Sequence, residues 1–454
     1  MSETIYLKRG KFSHELALKD IKDIQTSIRS IASENPLNMT HINSDGVSEI
    51  VELTELPLDI LLTQKQKRVV VNIARSFAKG NKFEENVSIS FIYENFIKLL
   101  GDKKLYLADN FSVSDSLSLF EHFRQIVEEE ISTVKVSIVT VLGASINRGH
   151  ICEVGSIKFM NPLDFIDKYK PLFEGILNYN EGFQPYLEVL HKSDLVAQVS
   201  IKNRDTATSK ILTNEIMKRV YTLIRLSIPS CGGRYNFFGT LGEEYLESRF
   251  SFLFHTDAIN EEAVKTISFE RTSNRFSDSN IDLIKTILPH KQAGEWFNRI
   301  EIIISKFVSD KELNDFEKRI WTALYWYGEA MSERELNPLI IKYATCLEAL
   351  FNSREGGISE QIAEFTAHVI GKTKDERMNI YSSIKKLYNS RSNAVHGRYI
   401  VNSQDSEFLS HIMIICESAL LQMAYYSQED YYQNSKGYDK FVQYILKEYR
   451  FFGI

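Results

Sequence analysis

The sequence predicts a mixed α+β region followed by an all-α helical bundle. Before about residue 310, segments rich in β-branched and aromatic residues alternate with helical patterns, as in VKVSIVTVLGA (134–144) and LTNEIMKRVYTLIRLSI (212–228). From about residue 313 the strand signals almost vanish, and apolar residues recur at helical spacing. We therefore divide the 454 residues into an N-terminal α+β subdomain (1–135), a second α+β subdomain with an expected regulatory role (136–310) and an all-α domain (311–454).

Composition narrows the classes of protein to which the chain can belong. The net charge of −6 argues against a surface that is basic throughout, so any contact with RNA must be local. The four cysteines are widely scattered, which argues against a disulfide framework or a structural zinc site and is typical of a reducing compartment. We find no signal peptide and no apolar run that could span a bilayer, and we expect a cytoplasmic protein without a membrane partner.

Strands are predicted at several places in the first two thirds of the chain. Each segment combines β-branched and aromatic residues with flanking residues that favour turns. A polar loop is expected at 271–280. Besides 134–144, the predicted strands are KRVVVNIARSF (67–77), NVSISFIY (86–93), KLYLADNF (104–111), YLEVLHKSDLVAQVSIK (186–202) and YLESRFSFLFH (245–255).

Helices account for the whole of the C-terminal third. The first covers 315–331, and the next begins with Asn337 as N-cap and Pro338 at the first helical position. A third ends at Gly371, where we expect a left-handed C-cap. Thr373 and Glu376 form a capping box for the fourth helix. Two more helices, at 406–426 and 438–452, complete the bundle.

The stretch LYNSRSNAVHGRYI (387–400) places an arginine and a histidine five residues apart near the end of the fourth helix. Arg391 follows Leu387 by four residues, so a continuing helix carries it along the buried stripe, where a cation needs a partner or a cleft. Five helical residues rotate by about 140°. We expect a break between Asn393 and Gly397 that brings Arg391 and His396 to one groove, and Glu348 of an earlier helix to orient one of them.

Such a pair is suited to cutting RNA. Histidine exchanges protons at neutral pH, so His396 is a candidate general base for a ribose 2′-OH or general acid for the leaving 5′-oxygen. Arg391 would stabilise the charge on the phosphorane, and the products would carry 2′,3′-cyclic phosphate ends. We find no metal-binding motif and expect neither metal nor cofactor. Residues 371–400 carry seven basic against two acidic residues, and we expect RNA contacts from Lys385, Lys386, Tyr388 and Arg398.

A purely structural interpretation remains open. In it, His396 caps the carbonyls of a helix end and Arg391 forms an ion pair, as helix C-termini favour. The catalytic interpretation raises a further requirement, because one histidine does not easily serve as both acid and base in one step. A two-fold dimer would supply two copies of each residue.

The ordered segments YATCLEALFNS (343–353), ISEQIAEFTAHVI (358–370) and IYSSIKKLYNSRSNAVHG (380–397) resemble the HEPN superfamily, specifically the Apea-like HEPN domains. The resemblance covers roughly residues 313–430. It implies an all-α bundle, homodimerisation through the motif helices and metal-independent endoribonuclease activity, often in toxins or anti-phage effectors. Arg391 and His396 match the catalytic pair and Glu348 the acidic residue. Many members have Asn, Asp or His directly after the arginine, whereas this chain has Ser392 and then Asn393, which we retain as assisting residues.

Two functions from different classes follow. The first is an endoribonuclease, a toxin or abortive-infection effector, restrained by its N-terminal region until a phage-derived or cellular trigger binds there. The alternative is a non-catalytic dimeric HEPN module in which Arg391 and His396 hold a nucleotide or a protein partner.

Overall fold

A computed structural model describes residues 4–8, 13–17, 39–42, 48–51, 68, 71–72, 86–102, 113–141, 143–177, 187, 190–191, 193–228, 248–256, 264–273, 281–333, 335–352, 357–397, 405–427 and 436–452. The chain divides into two compact units. The first comprises Met1–Lys135, Lys202–Ile211 and His255–Lys265, and the second comprises Val136–Ile201, Leu212–Phe254 and Thr266–Ile454. The three domains drawn from the sequence stay a prediction.

In residues 1–132 the described strands form two hairpins, and two helices pack as a pair. Strand β1 (Thr4–Lys8) pairs antiparallel with β2 (Ser13–Ala17), and β3 (Met39–Ile42) with β4 (Ser48–Val51). Helices α1 (Ile89–Asp102) and α2 (Val113–Ser132) meet through the buried rings of Phe96 and Phe123, edge to face with 5.3 Å between centroids.

The main sheet has six strands in the order β11-β10-β5-β9-β8-β7. Strands β7, β8 and β9 form an antiparallel meander. All eight residues of β5 are buried, so both faces of this central strand are covered. Strands β6 (Ala144–Ser145) and β12 (Ile281–Asp282) form a short parallel pair. The six strands are β5 (Val134–Val141), β7 (Ile151–Val154), β8 (Ile157–Met160), β9 (Leu195–Ile201), β10 (Ser248–Thr256) and β11 (Val264–Ser273).

After residue 282 the described chain is helical, which confirms the predicted change from α+β to helical character but places it before the expected position near residue 313. Along the chain, helix α3 (Pro162–Leu177) precedes strand β9 and helix α4 (Thr206–Leu226) follows it. One continuous hydrophobic core extends from Val139 and Val199 of the sheet, through Val220 of α4, to Leu347 and Leu387 of the C-terminal helices. Those helices are α5 (Leu283–Ala293), α6 (Glu295–Val308), α7 (Asp315–Met331), α8 (Leu336–Phe351), α9 (Ile358–Ile370), α10 (Lys374–Val395), α11 (Asp405–Tyr426) and α12 (Gly437–Phe452).

A buried carboxylate ties helices α6 and α7 together. Glu317 is fully buried, and its Oε1 accepts hydrogen bonds from Arg299 at 2.8 Å and from Lys306 at 2.7 Å. Its Oε2 accepts the backbone N–H of Asn314, which completes the capping box of α7. Arg299 also donates to Ser427, the residue after α11. Because the charge is compensated and every oxygen is bonded, Glu317 is tolerated in the core.

Helix α4 packs closely against α7. Arg219 donates to the carbonyl of Trp321 at 3.0 Å and lies over its indole ring at 4.0 Å, and burial lowers the pKa of Arg219 to about 10. Two turns farther along α7, Gly328 lies against Thr222, where an added Cβ would come within 2.0 Å of the threonine Oγ1. The close approach of the two helices therefore requires a glycine at 328.

Three sequence predictions about local structure are wrong. The segment 86–93 does not form a strand, because the Ser88 hydroxyl accepts the N–H of Phe91 and starts helix α1. Helix α8 begins at Leu336 with Glu335 as its N-cap, so Asn337 already lies inside the helix. Gly371 ends α9 in an extended conformation (φ −81°, ψ 124°) rather than a left-handed one, and its N–H bonds to the carbonyl of Ala367.

Other strand predictions have mixed outcomes. Those at 134–144 and 245–255 are confirmed by β5 and β10, and 186–202 contains β9 in its second half. The strand predicted at 104–111 lies outside the described residues, as does most of 67–77. The first three residues of the predicted loop at 271–280 belong to β11.

One stretch of α11 has the length and composition of a membrane span. Within the described residues, Glu407–Tyr426 meets that criterion, and half of the stretch is buried inside the fold. Core helices of water-soluble proteins have the same composition, so this property does not by itself place α11 in a bilayer.

Replacing Gly328 by alanine tests the contact between α4 and α7. We expect Gly328→Ala to lower the free energy of unfolding by about 1–3 kcal/mol, because the new methyl group overpacks the site. Adding Thr222→Ala removes the nearest atom and should restore most of that loss. Chemical denaturation followed by circular dichroism measures both. A Gly328→Ala variant as stable as the original chain would contradict the contact.

Candidate functional site

Helix α8 supplies the acidic residue of the site. Its apolar residues point into the core as predicted, and Glu348 follows the fully buried Leu347 at the edge of that stripe. The Glu348 side chain is 20 % exposed, so its carboxylate is largely removed from water. A carboxylate in this position needs donors to offset its lost hydration.

Helix α10 supplies those donors. The predicted capping box is present, since Thr373 accepts the N–H of Glu376 while the Glu376 carboxylate accepts the N–H of Thr373. The buried positions of α10 include Ile384 and Leu387, which turn one face of the helix towards its neighbours. Helix α10 packs against α8 and α9, and its stripe continues towards Arg391.

Glu348 holds two side chains of α10 at once. The Tyr388 hydroxyl donates to Oε1 at 3.2 Å. The Nη2 atom of Arg391 lies 3.3 Å from Oε1 and 3.5 Å from Oε2. The Arg391 guanidinium also lies 5.9 Å from the centre of the Tyr388 ring. We refer to Glu348, Tyr388 and Arg391 as the Glu348 triad.

The Arg391 guanidinium is only partly used by this ion pair. One nitrogen, Nη2, contacts the carboxylate, at distances longer than the roughly 2.7–2.9 Å of a well-formed charge-assisted bond. The buried Nε has no hydrogen-bond partner among the described residues. The side chain is 35 % exposed. Arg391 therefore keeps donor capacity for an anion.

His396 lies at the end of α10 and apart from the triad. Helix α10 continues without a break to Val395, and the N–H of His396 bonds to the carbonyl of Ser392 at 3.1 Å. The backbone of His396 is still near-helical (φ −89°, ψ 8°), and the chain turns only at Gly397, whose φ is +66°. The break expected between Asn393 and Gly397 therefore comes after His396.

The histidine and the arginine consequently face different directions. Five residues of continuous helix separate them by about 140° around the axis. The His396 side chain is exposed, whereas that of Arg391 turns towards Glu348. Among the described residues, no hydrogen bond or ion pair joins the two side chains. Within one chain, the described contacts thus do not bring the two predicted catalytic side chains together.

The remaining predicted site residues lie at several places along α10. Ser392 and Asn393 are exposed on its last turn. Lys385 is bound to Glu360 of α9 at 2.8 Å, and the Lys386 ammonium lies 4.2 Å from the centre of the Phe408 ring. Arg398 lies outside the described residues.

Two contacts of α10 were not anticipated from the sequence. Tyr388, expected to contact RNA, bonds to Glu348, and its raised pKa follows first from burial and then from the adjacent carboxylate. Glu360 of α9 accepts from Tyr381 and Lys385, which lower its pKa. Tyr381 and Tyr388 lie seven residues apart, a spacing from which the sequence could have placed both on one face of α10. Their partners on α8 and α9 were not deducible from spacing.

No group of three or more His, Cys, Asp or Glu side chains within the described ranges is arranged to hold a metal ion.

Comparisons of the chain with known protein families, with curated proteins and with solved structures find no match.

Replacing Glu348 by glutamine tests the triad. We expect Glu348→Gln to lower the free energy of unfolding by about 1 kcal/mol, because a partly buried guanidinium loses its counter-charge while solvent screens part of the effect. Glu360→Gln is the matched control, since Glu360 also accepts from a tyrosine and a cation of α10 but is half exposed. It should cost less than about 0.5 kcal/mol. Chemical denaturation measures the free energy of unfolding of both variants. Equal losses would contradict the stronger role assigned to Glu348.

Proposed function

We propose that the chain is a metal-independent endoribonuclease of the HEPN type whose site is built around Arg391 and His396. The observation that carries the proposal is the Glu348 triad, in which an acidic residue of α8 holds the motif arginine of α10 while leaving part of its guanidinium unused. The resemblance of residues 343–397 to Apea-like HEPN domains supports the same assignment.

Arg391 is suited to the charge that develops on a phosphodiester during cleavage. The planar arginine cation offers paired donors to phosphate oxygens. Glu348 limits the directions in which the side chain points, which reduces the reorganisation required when the substrate binds. The partly buried setting strengthens the attraction relative to a fully hydrated arginine.

His396 supplies the proton transfer in this proposal. Its ring is exposed, so a ribose 2′-OH has access to it. As a base it takes the proton of the 2′-OH, whose oxygen attacks the adjacent phosphorus and displaces the 5′-oxygen. A histidine in acid form protonates that leaving oxygen. The products are a 2′,3′-cyclic phosphate and a 5′-hydroxyl.

The opposed directions of Arg391 and His396 support a dimeric site. A two-fold axis near the end of α10 would set the arginine of one copy beside the histidine of the other. The dimer would then contain two such sites, each with the arginine of one copy and the histidine of the other. Exposed Val395, between the two residues, would be buried by such contact.

The wider role of the protein follows from the same assignment. A cytoplasmic ribonuclease that halts growth, as a toxin or anti-phage effector, requires restraint, and we assign that restraint to the N-terminal region and its release to a phage-derived or cellular trigger. Lys386, which is exposed, would add a phosphate contact to the RNA, and we assign the same role to Arg398 from its place in the sequence.

Cleavage of labelled RNA by the full-length chain tests the activity. In EDTA we expect the original chain to produce fragments, because the nucleophile is the substrate's own 2′-OH. Arg391→Ala and His396→Ala should each reduce the rate by at least about 100-fold. Lys374→Ala, which removes an exposed cation from the first turn of α10, is the control and should retain the rate.

Equal cleavage by the original chain and both site variants would exclude the assignment. Growth arrest on induced expression, compared between the original chain and His396→Ala, extends the test to a chain that is inactive without its trigger. Retained binding of RNA or a nucleotide without cleavage or growth arrest would instead favour the dimeric binding module.

A further inference from the structure

Tyr388 contacts both charged members of the Glu348 triad without carrying a charge itself. Its hydroxyl donates to Glu348 Oε1 at 3.2 Å, and its ring centre lies 5.9 Å from the Arg391 guanidinium. We propose that Tyr388 is a positioning residue that fixes the Glu348 carboxylate in the orientation that holds Arg391. This inference rests on the proposed ribonuclease function for its catalytic consequence, but its structural part stands independently.

The arginine alone does not hold the carboxylate firmly. Nη2 reaches both oxygens at long distances, 3.3 and 3.5 Å. The terminal torsion of a glutamate side chain is broad, so a carboxylate with one distant donor samples many orientations. The tyrosine hydroxyl supplies a second donor from a different direction. With both present, Tyr388 donates to Oε1 while Arg391 donates to Oε2, and Glu348 faces Arg391.

The chemistry of a phenol is suited to this role. Burial raises the pKa of Tyr388, and the adjacent carboxylate raises it further, so the hydroxyl keeps its proton at physiological pH. A neutral donor stabilises the carboxylate without competing with Arg391 for its charge. A lysine in the same place would neutralise Glu348 and weaken its hold on the arginine.

The consequence for catalysis concerns the arginine and not the tyrosine directly. The triad occupies Nη2, so the unused part of the guanidinium is oriented for a substrate oxygen only while Glu348 stays in place. The negative charge on the phosphate oxygens is greatest in the transition state. Loss of the Tyr388 hydroxyl should therefore lower kcat and leave KM nearly unchanged.

Tyr388→Phe tests the proposal because it removes one oxygen and keeps the ring. The matched control is Tyr381→Phe, which removes the same hydroxyl from the Tyr381–Glu360 pair seven residues earlier on α10. The full-length variants are treated with phenylglyoxal, a reagent for arginine, and the modification of Arg391 is followed by peptide mass spectrometry. Arg124, which is 28 % exposed and paired with Glu121 and Glu128, is the internal reference.

We expect the modification rate of Arg391, relative to that of Arg124, to rise about threefold in Tyr388→Phe and more in Glu348→Gln, because the arginine loses part or all of its restraint. Tyr381→Phe should leave the ratio unchanged. In RNA cleavage, kcat should fall about tenfold in Tyr388→Phe with KM within twofold, whereas Tyr381→Phe should retain both values.

An unchanged Arg391 ratio in Tyr388→Phe would overturn the proposal, as would a rise of equal size in Tyr381→Phe. A fall in kcat without a change in the ratio would also overturn it, because the hydroxyl would then act on the reaction by another route. If the original chain cleaves no RNA, the ribonuclease proposal fails, and the modification ratio still decides whether Tyr388 positions Arg391 through Glu348.

Discussion

The continuity of helix α10 is the constraint on which the candidate site depends. The helix runs from Lys374 to Val395, and the chain does not turn until Gly397. A break two or three residues earlier would allow Arg391 and His396 to share a groove in one chain. Because the helix continues, the arginine faces Glu348 while the histidine stays exposed. Under the proposed ribonuclease function, a second copy of the chain would complete the site.

Helix packing elsewhere in the second unit explains why α8 and α10 hold a fixed relation. Both contribute residues to one core that extends back to the sheet. Glu317 joins α6 to α7 through two cations, and Gly328 permits the close approach of α4 to α7. Helix α7 in turn packs along α8. A rigid support of this kind keeps the Glu348 triad from relaxing when a substrate anion binds.

Much of the C-terminal fold follows from local sequence patterns. The apolar stripes of α7 and α8 and the capping box of α10 depend on residues less than two turns apart, and all were predicted. Helix α1 was not predicted, because its β-branched residues favour a strand, whereas the Ser88 hydroxyl starts a helix. The left-handed conformation predicted for Gly371 was also wrong, since its N–H bonds to the carbonyl of Ala367 while the backbone is extended.

The site was only partly predictable, because most of its contacts join residues of different helices. Glu348 was expected to orient either Arg391 or His396, and it meets Arg391. The bonds of Tyr388 to Glu348 and of Lys385 to Glu360 join residues 40 and 25 positions apart. Such contacts depend on how helices are rotated against each other, which spacing within one helix does not determine. Tyr388 and Lys385, both expected to contact RNA, each donate to a carboxylate within the fold.

The most direct measurement of the central claim is RNA cleavage by a mixture of Arg391→Ala and His396→Ala chains. Each variant alone lacks one residue in both copies, whereas a mixed dimer combines the intact arginine of one copy with the intact histidine of the other. The account predicts that the mixture regains up to about one quarter of the original activity, since random exchange makes about half of the dimers mixed and each holds one of two residue sets. If mixed dimers form, as shown with two different affinity tags, and stay inactive while the original chain cleaves RNA, the shared site is contradicted.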